Sequence, residues 1–332
     1  MHRSIIAALT LLAALTLPAL AARACDIDRP IEFAGLDYDS ARFHNAVAMA
    51  ILKDGYGCKV DALPGQVIPL LTGLARGDVD IIMEVWTANP AQAWTDAEKA
   101  GSVVRLGVNF PDARQGWFVP RYLVEGPNAK ARGLKSVTDL PRFKSVFRDP
   151  EEPDKGRFLD CPAGWECEVV NSKKLAAYGL SADYTNFRSG TGEALAAAVE
   201  SAVKRKRPVL FYYWGPTWLL GKYDFVALEE PPFDKAVWDR MMAAEQPQQA
   251  CAYPQSEVVI GANKAFADKA PNIVAFLKAY RTTSALVSAA LAHMREHDAK
   301  PADAARWFLR TKPEVWTKWV PAEVAARVKA AL

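Results

Sequence analysis

The sequence lacks an excess of either charge. Its 332 residues include 41 lysines and arginines against 38 aspartates and glutamates, a formal net charge of +3. Proteins dedicated to nucleic acid carry a clustered basic excess, so this balance argues against that class. Hydrophobic residues make up 51% of the chain, which is typical of a globular protein with one large or two medium-sized domains.

Long hydrophobic runs are also scarce, which excludes a polytopic membrane protein. A basic start, an apolar run over residues 5–17 and small residues at 22–24 predict a secretory signal peptide over residues 1–24. A retained anchor and a lipid on Cys25 are the alternatives. Because Arg23 fits a lipidation site poorly, we expect a secreted, soluble chain with a net charge of +1.

Cysteines are few, five in all. In an exported protein disulfides are expected. Cys161 and Cys167 flank a loop with proline and glycine, so a local bridge fits there. Cys25 and Cys58 each open a predicted strand, and a bridge joins them if these strands are parallel neighbours. Cys251 would then stay free, whereas a lipid on Cys25 would leave Cys58 and Cys251 as a pair.

Signatures of catalysis are missing as well. There is no G-x-S-x-G motif and no Walker loop, and the glycine turn at 189–192 lacks the full dinucleotide pattern. His293 and His297 lie four apart, but the residues between them are Met-Arg-Glu and not the Glu-x-x of a zincin. Asp37 and Asp39 have the spacing of an acid/base pair, but no nucleophile or metal set accompanies them. We therefore expect no catalytic residue, metal or cofactor.

Short apolar runs alternate with amphipathic stretches from residue 31 onward. Over residues 31–86 the rhythm is strand, helix, strand, helix, strand, which predicts a parallel sheet with right-handed crossovers. A second α/β unit follows, and the tail is helical. We expect an α/β protein of two lobes, each a mainly parallel sheet flanked by helices. The tail should fold back on the first lobe, which gives lobe 1 at 25–120 and 252–332 and lobe 2 at 121–251.

Tryptophan is the residue present in excess, with ten copies. Half of them fall on predicted helices at packing spacing and are expected in the core: Trp94, Trp238, Trp307, Trp316 and Trp319. Other aromatic residues fall at strand ends or in loops: Tyr38, Trp86, Trp117, Trp165, Trp214 and Trp218. Ligands of open parallel sheets bind beyond such strand ends. Converging aromatic faces attract quaternary ammonium groups, by roughly 0.5–2 kcal/mol each. Packing between lobes is the alternative role.

Several segments together resemble one family. They are GYGCKVDALPG and VIPLLTGLARGDVDIIMEVW within 55–86, GWFVPRY at 116–122, CPAGW at 161–165, KRKRPVLFYYWGPTW at 204–218, and the tail at 304–332. In this order and spacing the chain resembles the glycine betaine/choline-type substrate-binding proteins of ABC importers. The resemblance implies a type II periplasmic binding protein with its ligand cleft between the lobes. It also implies a monomer in the periplasm that partners an inner-membrane permease with its ATPase.

The resemblance further implies where an aromatic cage would lie. Trp86 and Trp214 fall where the family places cage tryptophans, and Tyr38 falls where a tryptophan is usual. Gln115 falls at the place of a common tyrosine. Trp117 lies two residues on, on the same face of the strand, and is the expected fourth cage member.

Polar contacts to the ligand follow from the same resemblance. An acidic residue that faces the ligand in choline binders aligns with Ser40, and Asp39 is adjacent. Gly164 and Trp165 lie in the loop between the two closely spaced cysteines and would supply backbone donors to a carboxylate or hydroxyl. The implied ligand is a small quaternary-ammonium or related zwitterionic or cationic compound, of the glycine betaine, choline and carnitine class.

Besides a receptor that senses its ligand rather than importing it, two other functions stay open at this point. In the first, Glu84, Asp37 and Asp39 form an acidic cleft for an amino-acid-like or guanidino cation. In the second, the chain is an exported hydrolase that uses Asp37 and Asp39. Loss of binding in Glu84→Gln would favour the first, and turnover that is lost in Asp39→Asn would favour the second.

Overall fold

The computed structural model describes residues 25–87 and 91–332. The predicted signal peptide lies outside the described residues. Across the described ranges, no helix combines the length and apolar character needed to cross a membrane.

One mixed sheet runs through the described part of the chain. Its strand order is β2-β1-β3-β9-β4-β7-β5-β6, and β8 pairs with β4. The strands are β1 (Ile31–Leu36), β2 (Val60–Gly65), β3 (Ile81–Trp86), β4 (Val103–Pro120), β5 (Gly156–Asp160), β6 (Tyr184–Arg188), β7 (Leu210–Gly215), β8 (Phe225–Ala227) and β9 (Ser256–Asn263).

Helices cover both faces of this sheet. They are α1 (Asp39–Ala50), α2 (Val67–Arg76), α3 (Gln92–Lys99), α4 (Arg121–Val124), α5 (Glu166–Ala177), α6 (Gly192–Lys204), α7 (Trp218–Lys222), α8 (Lys235–Ala243), α9 (Lys264–Lys269), α10 (Pro271–Ala279), α11 (Ser284–Glu296), α12 (Pro301–Thr311), α13 (Pro313–Trp316) and α14 (Ala322–Ala331). A π-helical turn at Ile51–Gly55 extends α1, and 3₁₀ turns lie at Val137–Phe143 and Thr317–Trp319.

The first lobe is built on β1, β2, β3, β9 and the first part of β4. β1 pairs in parallel with β2 and β3, which confirms the predicted strand-helix rhythm. β1 and β3 are largely buried on both faces, as expected where helices cover a parallel sheet, whereas the edge strand β2 is partly exposed. The carboxyl ends of β1 and β3 therefore meet at one edge, and Tyr38 and Trp86 lie there.

The second lobe is built on β5, β6, β7, β8 and the last part of β4. β5 pairs in parallel with β6 and β7, while β4 runs antiparallel to β7. β4 leaves its pairing with β9 at Ala113 and begins its pairing with β7 at Arg114. One strand of 18 residues thus joins the lobes. The strand passes from the first lobe to the second at Ala113 and Arg114, several residues before position 120, where we expect the first lobe to end.

The helical tail packs on the first lobe, as predicted. Phe308 of α12 meets Phe43 of α1 with 5.6 Å between ring centres. Arg327 of α14 donates a hydrogen bond to the Gly55 carbonyl at 2.6 Å. Of the helical tryptophans expected in the core, Trp94 and Trp316 are fully buried.

Two disulfides form among the described residues, and both match predicted pairs. Cys25 bonds to Cys58 at the starting ends of the adjacent strands β1 and β2, and Cys161 bonds to Cys167 across the loop before α5. Cys251 is a buried free thiol, as expected.

Candidate functional site

A cavity of about 540 Å³, counted with its mouth, lies between the lobes. Aromatic side chains from both lobes line it: Tyr38, Trp86, Trp165, Tyr212 and Trp214. Glu84, Glu166 and Gln115 are the acidic and amide residues in its wall. Strand ends supply most of this wall, because the carboxyl ends of β1, β3 and β7 face each other across the cleft.

Three aromatic rings pack edge to face and bridge the lobes. The ring centre of Tyr38 lies 5.0 Å from that of Trp165 and 6.1 Å from that of Trp214. Trp165 and Trp214 are 5.2 Å apart with an interplanar angle of 73°. Edge-to-face packing of this kind fixes each ring and leaves aromatic faces for a ligand.

Glu84 and Trp86 lie two residues apart on β3, so both side chains point to the same side of the strand. The Trp86 Nε1–H donates to Glu84 Oε2 at 3.2 Å. Glu84 is buried, and this burial raises the pKa of its carboxyl to about 7. Neighbouring hydroxyl and indole groups of Ser40, Trp86 and Tyr38 limit that rise.

The first turn of α5 supplies a different kind of wall. Glu166 and Cys167 begin this helix and line the cavity. The first backbone N–H groups of a helix have no partner within the helix, so they are available to a carboxylate or hydroxyl. Burial raises the pKa of the Glu166 carboxyl to about 8, and Glu168 adds to the shift.

Hydrogen bonds cross the cleft beside the cavity. The Trp165 Nε1–H donates to Asp37 Oδ1 at 3.0 Å, and the Gln66 side-chain amide donates to Asp37 Oδ2 at 3.0 Å. The Ile68 backbone N–H donates to the Gly164 carbonyl at 3.2 Å. Asp37 therefore serves in the contact between lobes.

The structure places Gly164 and Trp165 differently from the backbone donors that we expected. Gly164 has a φ of 85° and lies against Gln66, and a Cβ there would come within 3.1 Å of the Gln66 Cβ. The Trp165 backbone N–H donates to the Pro162 carbonyl at 3.3 Å. Since that N–H has a partner, the helix-start N–H groups of Glu166 and Cys167 are the better donors.

Trp117 lies outside the cavity, in the core of the second lobe. Its side chain is fully buried, its Nε1–H donates to Asn171 Oδ1 at 2.8 Å, and its ring centre is 4.4 Å from that of Phe158. The expectation of a fourth cage member there is corrected by the course of β4. Gln115 pairs with Trp214 near the start of the contact between β4 and β7 and lines the cavity, whereas Trp117 lies two residues deeper in the second lobe.

Tyr212 and Gln115 occupy the remaining side of the cavity. Trp214 pairs with Gln115 across β7 and β4, and the Tyr212 hydroxyl donates to Gln115 Oε1 at 2.6 Å. Tyr212 is a cavity residue that was not expected from the sequence. Its spacing of two from Trp214 on one strand was the signal that could have found it.

Asp39 faces a smaller hollow that is separate from the main cavity. It starts α1 and shares that hollow with Trp214 and Trp218, and burial raises the pKa of its carboxyl. Ser40 is buried, lines the same hollow as Asp39 and also lies beside the Glu84 carboxyl. The two polar positions expected from the resemblance thus lie behind the cavity wall, and Glu84 and Glu166 are the acids in the wall itself.

One protein family matches most of this chain. Residues 29–311 match the family model described as the substrate-binding domain of an ABC-type glycine betaine transport system. The glycine betaine/proline betaine-binding periplasmic protein of Escherichia coli K12 is 27% identical over 266 residues, which cover 77% of this chain and 78% of that protein. The trimethylamine N-oxide-binding protein of Pelagibacter ubique is 25% identical over 247 residues, which cover 73% of this chain and 75% of that protein.

Solved structures share the fold. The glycine betaine/L-proline-binding protein of Borrelia burgdorferi superposes with a TM-score of 0.74 at 18% identity, over 90% of this chain and 100% of that one. An ABC-transporter choline-binding protein in complex with choline also has a TM-score of 0.74, at 16% identity, over 92% of this chain and 98% of that one. Lactococcal OpuAC in its closed form with glycine betaine has a TM-score of 0.70, at 19% identity, over 89% of this chain and 100% of that one.

Proposed function

The chain belongs to the family of substrate-binding domains of ABC-type glycine betaine transport systems, and on that premise we propose which ligands it takes and how it holds them. Substrate-binding proteins of ABC importers bind small molecules and work with a membrane permease. Their role is transport and not catalysis. We propose that this chain is exported to the periplasm, acts as a monomer and captures a methylated ammonium compound in the cavity between its lobes.

The arrangement of aromatic rings carries this proposal. Tyr38 and Trp86 come from the first lobe, and Trp165, Tyr212 and Trp214 come from the second. A fully methylated ammonium group has no N–H to donate and is only weakly hydrated. It therefore does not need hydrogen-bond acceptors around it. Aromatic faces attract it through the ring quadrupole, by roughly 0.5–2 kcal/mol each. A cage drawn from both lobes is complete only when the lobes close.

Ion pairs at the rim support a closed form as the binding state. Arg42 of α1 contacts Glu193 of α6, and Arg295 of α11 contacts Glu200 of α6. Each pair joins the first lobe to the second. Closure removes water from the cavity and so strengthens each charge contact within it. The closed rims of both lobes are then the surface presented to the permease.

The relatives narrow the ligand class. The similar proteins are named for binding glycine betaine, proline betaine, trimethylamine N-oxide and choline. These ligands share a methylated quaternary nitrogen and differ in the oxygen-bearing end. In this chain the cage suits the shared part, and the start of α5 suits the oxygen-bearing end.

Calorimetric titration of the mature protein tests the proposal. We expect binding of at least one ligand among glycine betaine, choline, carnitine and trimethylamine N-oxide. The Trp86→Ala variant should bind that ligand at least about tenfold more weakly, because it removes one cage face and opens the wall. Folded protein that takes up none of these compounds would sink the proposal.

The acidic residues favour one second candidate. Glu84 and Glu166 both line the cavity, so an amino-acid-like or guanidino cation held by carboxylates is a distinct ligand class. Arginine and agmatine in the same titrations separate the two. Binding of a guanidino compound that survives Trp86→Phe but not Glu84→Gln would favour this candidate over the aromatic cage.

A further inference from the structure

Glu84 is a buried acid in the wall of the ligand cavity. It is 1% exposed and lies beside the cage tryptophan Trp86, whose Nε1–H donates to Oε2. Its other oxygen, Oε1, has no hydrogen-bond partner in good geometry among the described residues. A carboxyl group in this position is expensive to bury unless something balances its charge.

The protein itself supplies no such balancing charge in the described part of the cavity. The described lining residues include no lysine or arginine. His44 Nε2 lies 3.9 Å from Glu84 Oε1, but burial lowers the pKa of His44 to about 3, so this imidazole is neutral. Its Nδ1 is in hydrogen-bond contact with the Tyr280 hydroxyl at 2.8 Å. A positive charge that balances ionised Glu84 must therefore come from outside.

We infer that Glu84 is the counter-charge of the bound ammonium group, and that the cavity prefers a methylated ammonium compound of net positive charge to the matching zwitterion. This inference rests on the proposed function and names the ligand class within it. A cation and an ionised Glu84 together are neutral inside the closed cleft. A zwitterion brings its own carboxylate and gains nothing from an ionised Glu84.

Binding of a cation should then be linked to the ionisation of Glu84. The titratable groups that face this carboxyl are Tyr38, His44 and Tyr280, and Glu166 lies across the cavity. Burial raises the pKa of both tyrosine hydroxyls, so they stay neutral together with His44. An arriving cation lowers the pKa of Glu84 from about 7, so it displaces a proton near neutral pH.

The test compares choline with glycine betaine on the mature protein at pH 7.5, using wild type, Glu84→Gln and the control Glu257→Gln. Glu257 is an exposed glutamate on β9 outside the cavity, so its variant makes the same chemical change without touching the site. We expect Glu84→Gln to weaken choline binding by about tenfold or more and glycine betaine binding by less than about threefold. The control should match wild type.

Two results would overturn the inference. One is an equal loss for both ligands, and the other is undiminished choline binding in Glu84→Gln. A wild type that binds glycine betaine but not choline also overturns it and leaves the proposed function standing. A wild type that binds neither these two nor any related methylated ammonium compound defeats the proposed function itself.

Proton release gives a second readout in case Glu84→Gln fails to fold. Titrations of wild type in buffers of different ionisation enthalpy should show that choline releases a proton near pH 7 and that glycine betaine releases less. The same release should persist in Glu166→Gln, which removes the other cavity acid. Equal release by the two ligands, or its disappearance in Glu166→Gln, contradicts the role of Glu84.

Discussion

The indole N–H of Trp165 donates a hydrogen bond to Asp37 across the cleft, with 3.0 Å between Nε1 and Oδ1. Trp165 lies in the second lobe and lines the cavity, whereas Asp37 follows the last residue of β1 in the first lobe. One side chain thus contacts the ligand space and fastens the lobes together. We expect ligand affinity and closure to be coupled through this contact.

We therefore expect Trp165→Phe to weaken ligand binding by about tenfold. Phenylalanine keeps an aromatic ring at this position but loses the hydrogen bond to the Asp37 carboxylate. Calorimetric titration measures the change. Trp307→Phe, a half-buried tryptophan of the helical tail, is the matched control and should keep wild-type affinity. Unchanged affinity in Trp165→Phe would mean that the contact between Trp165 and Asp37 does not contribute to closure.

Trp117 and Trp214 should separate stability from binding. In Trp117→Phe, Asn171 loses the indole donor within a closed core, so we expect about 1–3 kcal/mol less stability and at most a twofold change in affinity. In Trp214→Phe we expect the opposite, with about tenfold weaker binding and a smaller loss of stability. Urea unfolding and calorimetry measure the two quantities. A large loss of affinity in Trp117→Phe would restore it as a ligand contact.

These two tryptophans also show what the sequence could and could not predict. Residues at the ends of buried strands were identifiable from hydrophobic runs, so Trp86 and Trp214 were placed at the cleft. Trp117 has the same local pattern as Gln115, because they share one face of β4. Nothing local marks where a long strand passes from one lobe to the other, so the pattern could not tell a cage residue from a core residue.

The acids illustrate a second limit. A glutamate in a strand is normally expected on a solvated face. Glu84 instead turns inward, since it follows the alternation that also turns Trp86 toward the cavity. Glu166 could not be assigned from sequence, because its position depends on how the disulfide-closed loop brings the start of α5 to the cleft. Tertiary packing of the two lobes therefore decides the position of Glu166, whereas the alternation along β3 already places Glu84 on the side of Trp86.

The acids with raised pKa predict that the ligand-free protein loses stability as pH rises. Burial raises the pKa of Glu84 and Asp160 to about 7 and that of Glu166 to about 8. The stability linked to these groups is fully present below the unfolded pKa near 4 and is lost as pH rises through 7 to 8. The melting temperature should therefore be higher at pH 5.5 than at pH 8.

A single substitution checks the cause of that pH dependence. Glu166→Gln removes the acid with the highest pKa of these three, so it should raise the melting temperature at pH 8 by about 2–6 °C and raise it less at pH 5.5. Differential scanning fluorimetry without ligand is sufficient. Asp78→Asn changes an exposed carboxyl and should leave the pH dependence as it is. A melting temperature that climbs between pH 5.5 and pH 8 contradicts the assignment.

The two disulfides should differ in what they control. Cys25–Cys58 ties the starts of β1 and β2 over a separation of 33 residues, away from the cavity, so replacing both by serine should cost about 3–4 kcal/mol of stability.

Cys161–Cys167 closes a loop over only six residues, and Cys167 lines the cavity. Its removal should cost less stability but should weaken ligand binding by about tenfold, because the start of α5 is no longer held at the oxygen-bearing end of the ligand. Urea unfolding and ligand titration of both double variants distinguish these outcomes. Equal effects on affinity from the two pairs would mean that the loop before α5 keeps its place without its bond.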